Sequence, residues 1–162
     1  MLKYTDTKVV FREIPDEISL AINISGCPFT CKGCHSSFLQ GDIGETLSTS
    51  VLDTLIKKYD AISCISFMGG DNDPHEVSNL AGYVRANYPK VMTAWYSGAD
   101  ILSEKIELKN FTYIKVGRFI EILGGLDSKN TNQRIYSVDD ECVLHDITYR
   151  MTKTTPLEKI IG

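Results

Sequence analysis

Two periodicities divide the chain. Short apolar runs have strand character, and longer stretches return an apolar residue every three or four positions. Residues 8–13 predict a short strand before a turn at Pro15-Asp16, and residues 18–25 a second strand that Gly26 ends. A helix is expected over 51–59, capped by Ser48 or Ser50, with Val51, Leu52, Leu55 and Ile56 on one face. Residues 62–68 read as a buried strand that runs straight into Gly69-Gly70-Asp71. Pro74 opens a second helix in which Val77, Leu80, Ala81 and Val84 keep helical spacing, with Pro89 just past its end. Strands are expected over 91–96, closed by Ser97-Gly98, and over 111–116, closed by Gly117, with a helix near 100–107 between them. A loop rich in Gly and Asn over 124–133 precedes strands at 134–138 and 142–149.

Strand, loop and helix in repeated succession imply parallel βαβ units. An eight-unit barrel needs roughly 250 residues, more than the 162 present. The expectation is therefore an α/β fold: a single domain over 1–162, built as an open, partial barrel on a mostly parallel sheet. In such architectures ligands sit at the carboxyl ends of the strands. The cysteine-bearing segment after residue 25, Gly69-Gly70-Asp71, Ser97-Gly98 and Gly117 each follow a strand. They should converge on one rim.

Composition narrows the function classes. Apolar residues make up 43% and charged residues 23%, values of an ordinary globular protein. The net charge is −4 and no basic run occurs, which argues against a nucleic-acid partner. No segment approaches the ~18 apolar residues of a membrane span, and the N-terminal residues lack the apolar core of a signal peptide. Reduced cysteines without such a signal suggest a cytoplasmic protein. Neither a Ser-His-Asp order nor a carboxylate pair stands out for hydrolysis.

The chemistry is concentrated in residues 26–36, where Cys27, Cys31 and Cys34 follow the spacing C-x3-C-x2-C. A structural disulfide is disfavoured, because the five cysteines are odd in number and nothing suggests secretion. A [4Fe–4S] cube is usually held by four thiolates, so three would leave one iron open to another molecule. The alternative is a structural zinc site completed by His35 or a distant residue. Zinc knuckles pair C-x2-C halves across a longer gap, and no second half is present here. Cys64 alternates within an apolar strand and reads as a small hydrophobe. Cys142 reads as incidental, Trp95 as packing, and His75 and His145 as locally hydrogen-bonded or solvated.

The cysteine spacing together with Gly33-Cys34-His35 resembles the radical S-adenosylmethionine (SAM) enzymes, most of all their glycyl-radical activating branch. Residues 116–135, followed by Asp146-Ile-Thr-Tyr-Arg150, resemble the tail of the anaerobic ribonucleoside-triphosphate reductase activating proteins. The likeness runs from about residue 18 to 150. It implies a [4Fe–4S] cluster on Cys27, Cys31 and Cys34, with the methionine end of SAM on the open iron. An electron would then split the sulfonium into methionine and a 5′-deoxyadenosyl radical. By the same resemblance Gly33 and His35 flank the cluster near the adenine, while Gly69, Gly70 and Asp71 receive the methionine amino group. Ser97 is expected to meet SAM. The ordinary reading of Gly-Gly-Asp is a strand-to-helix turn.

Asn132 and Gln133 are candidates for ordering the active-site loop or touching a partner, against a polar turn capping a strand. The implied partners are the large subunit of an anaerobic ribonucleotide reductase, as protein substrate, and a low-potential electron donor such as flavodoxin. Two departures from the family pattern are Ser36, where asparagine often follows the third cysteine, and Asn72-Asp73 ahead of Pro74. The alternatives are an activase for another glycyl-radical enzyme, a radical SAM enzyme acting on a small molecule, and a zinc-stabilised interaction module without catalysis.

Overall fold

The structure, a computed structural model, describes residues 1–152, so the end of the domain expected over 1–162 lies outside the described residues. Eight strands and two α-helices occur among the described residues, in the order β1 (Lys3–Val10), β2 (Ser19–Ile24), β3 (Glu45–Thr46), α1 (Thr49–Lys58), β4 (Cys64–Met68), α2 (Pro74–Asn87), β5 (Met92–Tyr96), β6 (Tyr113–Val116), β7 (Arg134–Val138) and β8 (Leu144–Asp146). They form one sheet ordered β3-β1-β2-β4-β5-β6-β7-β8. Its ends do not meet, so the sheet is open and no barrel closes.

The four central strands β2, β4, β5 and β6 are parallel. The flanks are not. Antiparallel ladders join β3 to β1, β1 to β2, β6 to β7 and β7 to β8. The sheet is thus mixed, with three parallel ladders against four antiparallel, which corrects the expected parallel majority. The reason is local: alternating apolar and polar residues mark a strand without marking its direction. The connections into β2 and β8 are too short for a parallel crossover.

Both helices cover the same face of the sheet. Leu20, Ile22 and Ile24 of β2, Ile65 and Phe67 of β4, Trp95 of β5 and Ile114 of β6 are fully buried. They form one core with Leu52, Leu55 and Ile56 of α1 and Val77, Leu80, Ala81 and Val84 of α2. Each helix starts where the sequence places its cap. The Ser48 side chain accepts from Val51 N, and Asp73 accepts from Glu76 N with Pro74 in the first turn.

The opposite face is built differently. Its innermost row, Ala21–Ser66–Ala94–Tyr113, is mostly small residues, and the row nearer the strand C-termini is Asn23–Met68–Tyr96–Lys115. A smaller core of Ile14, Cys64, Ala94, Leu126 and Ile135 seals part of this face. Ile14 belongs to a strap, residues 11–17, which leaves β1 and crosses the sheet. The strap is tied down by Tyr96 Oη donating to the Glu13 carbonyl and by an Arg150–Asp16 ion pair.

Three expected elements differ, among them the last strand, which covers only Leu144–Asp146 of the expected 142–149 before a 3-10 turn over Thr148–Arg150. The first strand spans Lys3–Val10 rather than 8–13, because residues 3–10 pair with β2 and β3 while residues 11–17 turn away as the strap. No helix forms near 100–107; turns occupy that stretch, followed by a 3-10 turn over Leu108–Asn110. Its polar groups find partners on α2 instead. Glu107 N donates to Ser78 Oγ, and Asn110 Nδ2 donates to the Ser78 carbonyl at 3.0 Å.

Candidate metal centre and adjoining cavity

The rim at the C-termini of the parallel strands is assembled by hydrogen bonds between neighbouring strand ends. Gly69 N donates to the Tyr96 carbonyl, and the buried Trp95 indole N–H donates to the Gly69 carbonyl at 2.8 Å. Gly70 has φ +92°, and a Cβ there would stand 2.5 Å from Val77 Cγ2. Both its backbone conformation and the approach of α2 therefore require glycine. The turn delivers Asp71 to the end of β5. There its carboxylate accepts from Ser97 Oγ and from Gly98 N at 2.9 Å. Ser97 is buried, and its hydroxyl also accepts from Ala99 N. It holds Asp71 in place.

The cysteine loop leaves β2 at the same rim. Gly26 N and Cys27 N donate to the Gly41 and Leu39 carbonyls, which pins the loop start to a 3-10 turn over Ser37–Gln40. Cys34 N donates to the Cys31 carbonyl at 3.2 Å, and Ser36 N donates to Cys34 Sγ at 3.4 Å. Phe29 lies against Gly98, and Gly33 lies against the Glu121 side chain. His35 stands beside Phe119, ring centroids 5.7 Å apart. All five cysteines are free, and the three in the loop are partly exposed.

The loop and the strand ends enclose a cavity of about 530 Å³, lined by Cys27, Cys31 and Cys34 together with Gly69, Asp71 and Ser97. Such a volume suits a nucleoside-sized ligand. His35, Gly98, Gly117 and Gln133 also reach it. Gln133 Nε2 donates to the Gly117 carbonyl at 3.4 Å, and Asn132 Nδ2 to the Arg118 carbonyl at 3.0 Å. Gly33 and Gly70 are not among the lining residues; Gly33 packs against Glu121 and Gly70 against Val77. His75 and His145 are engaged locally, with Asn79 and Asp139.

Three features of the cavity were not visible in the sequence. The strap brings Arg12 and Glu13 to its wall. The cross-strand row Asn23–Met68–Tyr96–Lys115 forms its floor. Lys115 is 7% exposed, and its ammonium donates to the Ser97 and Gly117 carbonyls at 3.0 and 2.7 Å. Burial pushes its pKa down to about 8 against the opposing pull of Asp71, Cys31, Cys34 and Asp100. Burial likewise pushes the Cys27 thiol up, a backbone hydrogen bond at Phe29 opposes this, and the negative Asp71 and the neighbouring thiols add to it. Metal binding has to expel such a proton.

The donor set fits a cluster better than a single ion. Among the described residues no three His, Cys, Asp or Glu side chains are grouped closely enough to hold one metal ion. A zinc tetrahedron needs its sulfurs converging on one atom at about 2.3 Å. A cube places a different iron beneath each sulfur, so its three thiolates stand farther apart. Cys27, Cys31 and Cys34 line the same cavity. The Ser36 N–H to sulfur bond is of the kind that tunes a cluster.

Comparison with curated proteins and with solved structures returns no match. The family described as the 4Fe-4S single cluster domain matches over residues 18–135, well over half of the chain, from the residue just before β2 to the second residue of β7. The chain therefore belongs to the 4Fe-4S single cluster domain family, an iron–sulfur assignment consistent with its thiolate loop.

Proposed function

We propose that the chain is a radical SAM activase. The observation that carries this reading is that Cys27, Cys31 and Cys34, without Cys64 or Cys142, line one cavity together with Gly69 and Asp71 of the Gly-Gly-Asp turn. Cys27, Cys31 and Cys34 hold the cluster, with Gly33 and His35 beside it. Gly69 and Gly70 bring backbone close to the methionine end of SAM, and Asp71, oriented by Ser97 and Gly98 N, receives its ammonium.

When bound, cluster and SAM together supply reductive cleavage of the sulfonium and a carbon-centred radical that abstracts a hydrogen atom. The electron would be drawn from an external low-potential donor such as flavodoxin, and this chain's own part would be to hold the cluster through Cys27, Cys31 and Cys34 and the methionine end through Asp71. No general base is required of this chain. The acceptor of the radical is a backbone glycine of an anaerobic ribonucleotide reductase large subunit. That identity rests on the resemblance of residues 116–135 and 146–150, and the cytoplasmic setting on the reduced cysteines. The exclusion of nucleic acid rests on charge. No helix among the described residues is long and apolar enough to cross a membrane.

Anaerobic reconstitution with iron and sulfide tests the reading. A brown protein with about four irons per chain is expected to convert SAM to methionine and 5′-deoxyadenosine under dithionite. With the reductase subunit added, a glycyl radical should appear by electron paramagnetic resonance. A colourless protein that retains one zinc and leaves SAM intact defeats the proposal. SAM cleavage without a glycyl radical moves the substrate to another glycyl-radical enzyme or a small molecule.

A further inference from the structure

We propose that Lys115 places a buried positive charge beside the cluster held by Cys27, Cys31 and Cys34 and thereby raises its reduction potential. The inference rests on the cluster reading above and requires neither SAM nor a protein substrate.

Lys115 belongs to the floor of the cavity whose wall carries the three cysteines. A lysine taken out of water costs several kcal/mol unless another charge compensates. Here the compensation within the chain is incomplete. The ammonium has three N–H donors, and its acceptors are two neutral carbonyls, those of Ser97 and Gly117. Among the described residues no carboxylate lies within ion-pair distance of it. Asp71, the strongest negative influence on it, is itself bonded to Ser97 and Gly98. Cys31 and Cys34 are the next groups that its field reaches. Lys115 is thus a poorly compensated cation in the cavity that the sulfurs also line.

A cube carried by three thiolates is an anion, and taking up one electron adds one more negative charge. Nothing else is made or broken in that step, and the electron comes from an external one-electron donor. A nearby cation in a poorly solvated pocket stabilises the more negative form by Coulomb attraction that water screens weakly. Net charge, burial and hydrogen bonds are the features that set cluster potentials. The competing role is purely structural: the ammonium ties the ends of β5 and β6 through Ser97 and Gly117. A neutral amide donates to the same carbonyls, so the two roles can be separated.

The test is a redox titration of the reconstituted full chain with dithionite, without SAM, followed by the visible absorbance and paramagnetic signal of the cluster. Lys115→Met and Lys115→Gln are expected to shift the reduction equilibrium about tenfold toward the oxidised form, about 59 mV for a one-electron couple. Lys115→Arg should stay within about threefold of wild type on the same scale. Should the Met variant fail to fold, the Gln variant, which keeps donors, carries the comparison. Loaded Met or Gln variants with the wild-type potential overturn the inference, as does an equal shift in all three variants. A wild-type chain that takes up no cluster overturns the metal-centre reading and this inference with it.

Discussion

Asp71 shows how much of the rim depends on single contacts. Its carboxylate is held by one hydroxyl and one backbone N–H, and hydrogen bonds to a charged group contribute about 1.5–3 kcal/mol. Ser97→Ala removes the hydroxyl from a buried position without altering the cysteine loop. On the proposed reading it should weaken SAM binding about tenfold, near 1.4 kcal/mol, by calorimetric titration of the reconstituted protein, with iron per chain unchanged in a chemical assay. Gly70→Ala should cost more in stability. A non-glycine residue at φ +92° carries roughly 1–2 kcal/mol of strain, and the new methyl meets Val77 as well. Adding Val77→Ala should relieve the clash and leave the strain, which a denaturant-midpoint cycle separates. The glycines and Asp71 were legible because an apolar run ends on them. Lys115 was not. Alternation with Ile114 assigns it only to the face away from the helices, and its burial comes from segments distant in sequence, residues 11–17 and 124–133.

At the scale of elements, what could be read were the helices, whose caps and apolar faces are local. The β5–β6 connection was misread because its partners lie on α2. There Gly82 stands one turn after Ser78, and a Cβ on Gly82 would come within 3.0 Å of the Asn110 side chain. Gly82→Ala sets about 1 kcal/mol of helix propensity against that contact and should be nearly neutral. Gly82→Val, which adds bulk the groove cannot take, should destabilise by about 1–3 kcal/mol in chemical denaturation.

The two helices are also joined electrostatically, because Asp53 of α1 accepts from Tyr83 of α2 and from Tyr88 just past its end. The Tyr88 and Tyr83 hydroxyls hold the Asp53 carboxyl below its ordinary range, and Asp53 pushes Tyr88 up to about 12. A depressed carboxylate stabilises the fold above its unfolded pKa and loses that contribution as pH falls through the folded one. The raised phenol contributes below pH 10 and loses its contribution as pH rises through about 12. Asp53→Asn should therefore flatten both the acid and the alkaline limbs of the melting temperature plotted against pH.

The whole molecule divides its labour between the two faces of one open sheet. The helical face is a close-packed core; the other is a floor of small and polar residues roofed by the strap and the cysteine loop. Sequence order indicated the convergence on one rim, since each motif follows a strand. It did not indicate the antiparallel flanks or the strap, which depend on pairing between distant segments. This division predicts a specific pattern of cysteine dependence. Cys27, Cys31 and Cys34 line the cavity, whereas Cys64 is fully buried in the sheet and Cys142 sits in the β7–β8 turn. Alanine at any of the first three should abolish stable four-iron loading, measured as iron and sulfide per chain. Cys142→Ala should leave loading and stability unchanged. Cys64→Ala should leave loading intact but cost about 1 kcal/mol, because a buried sulfur loses its packing partners. Since a cluster that binds only the folded chain stabilises it by mass action, loading should raise the melting temperature of wild type and of Cys64→Ala alike, and leave a Cys27/Cys31/Cys34 triple-alanine variant where it was. A loss of iron in Cys64→Ala would instead place a ligand in the small core at the N-terminal end of β4, on the cavity's side of the sheet but away from the rim.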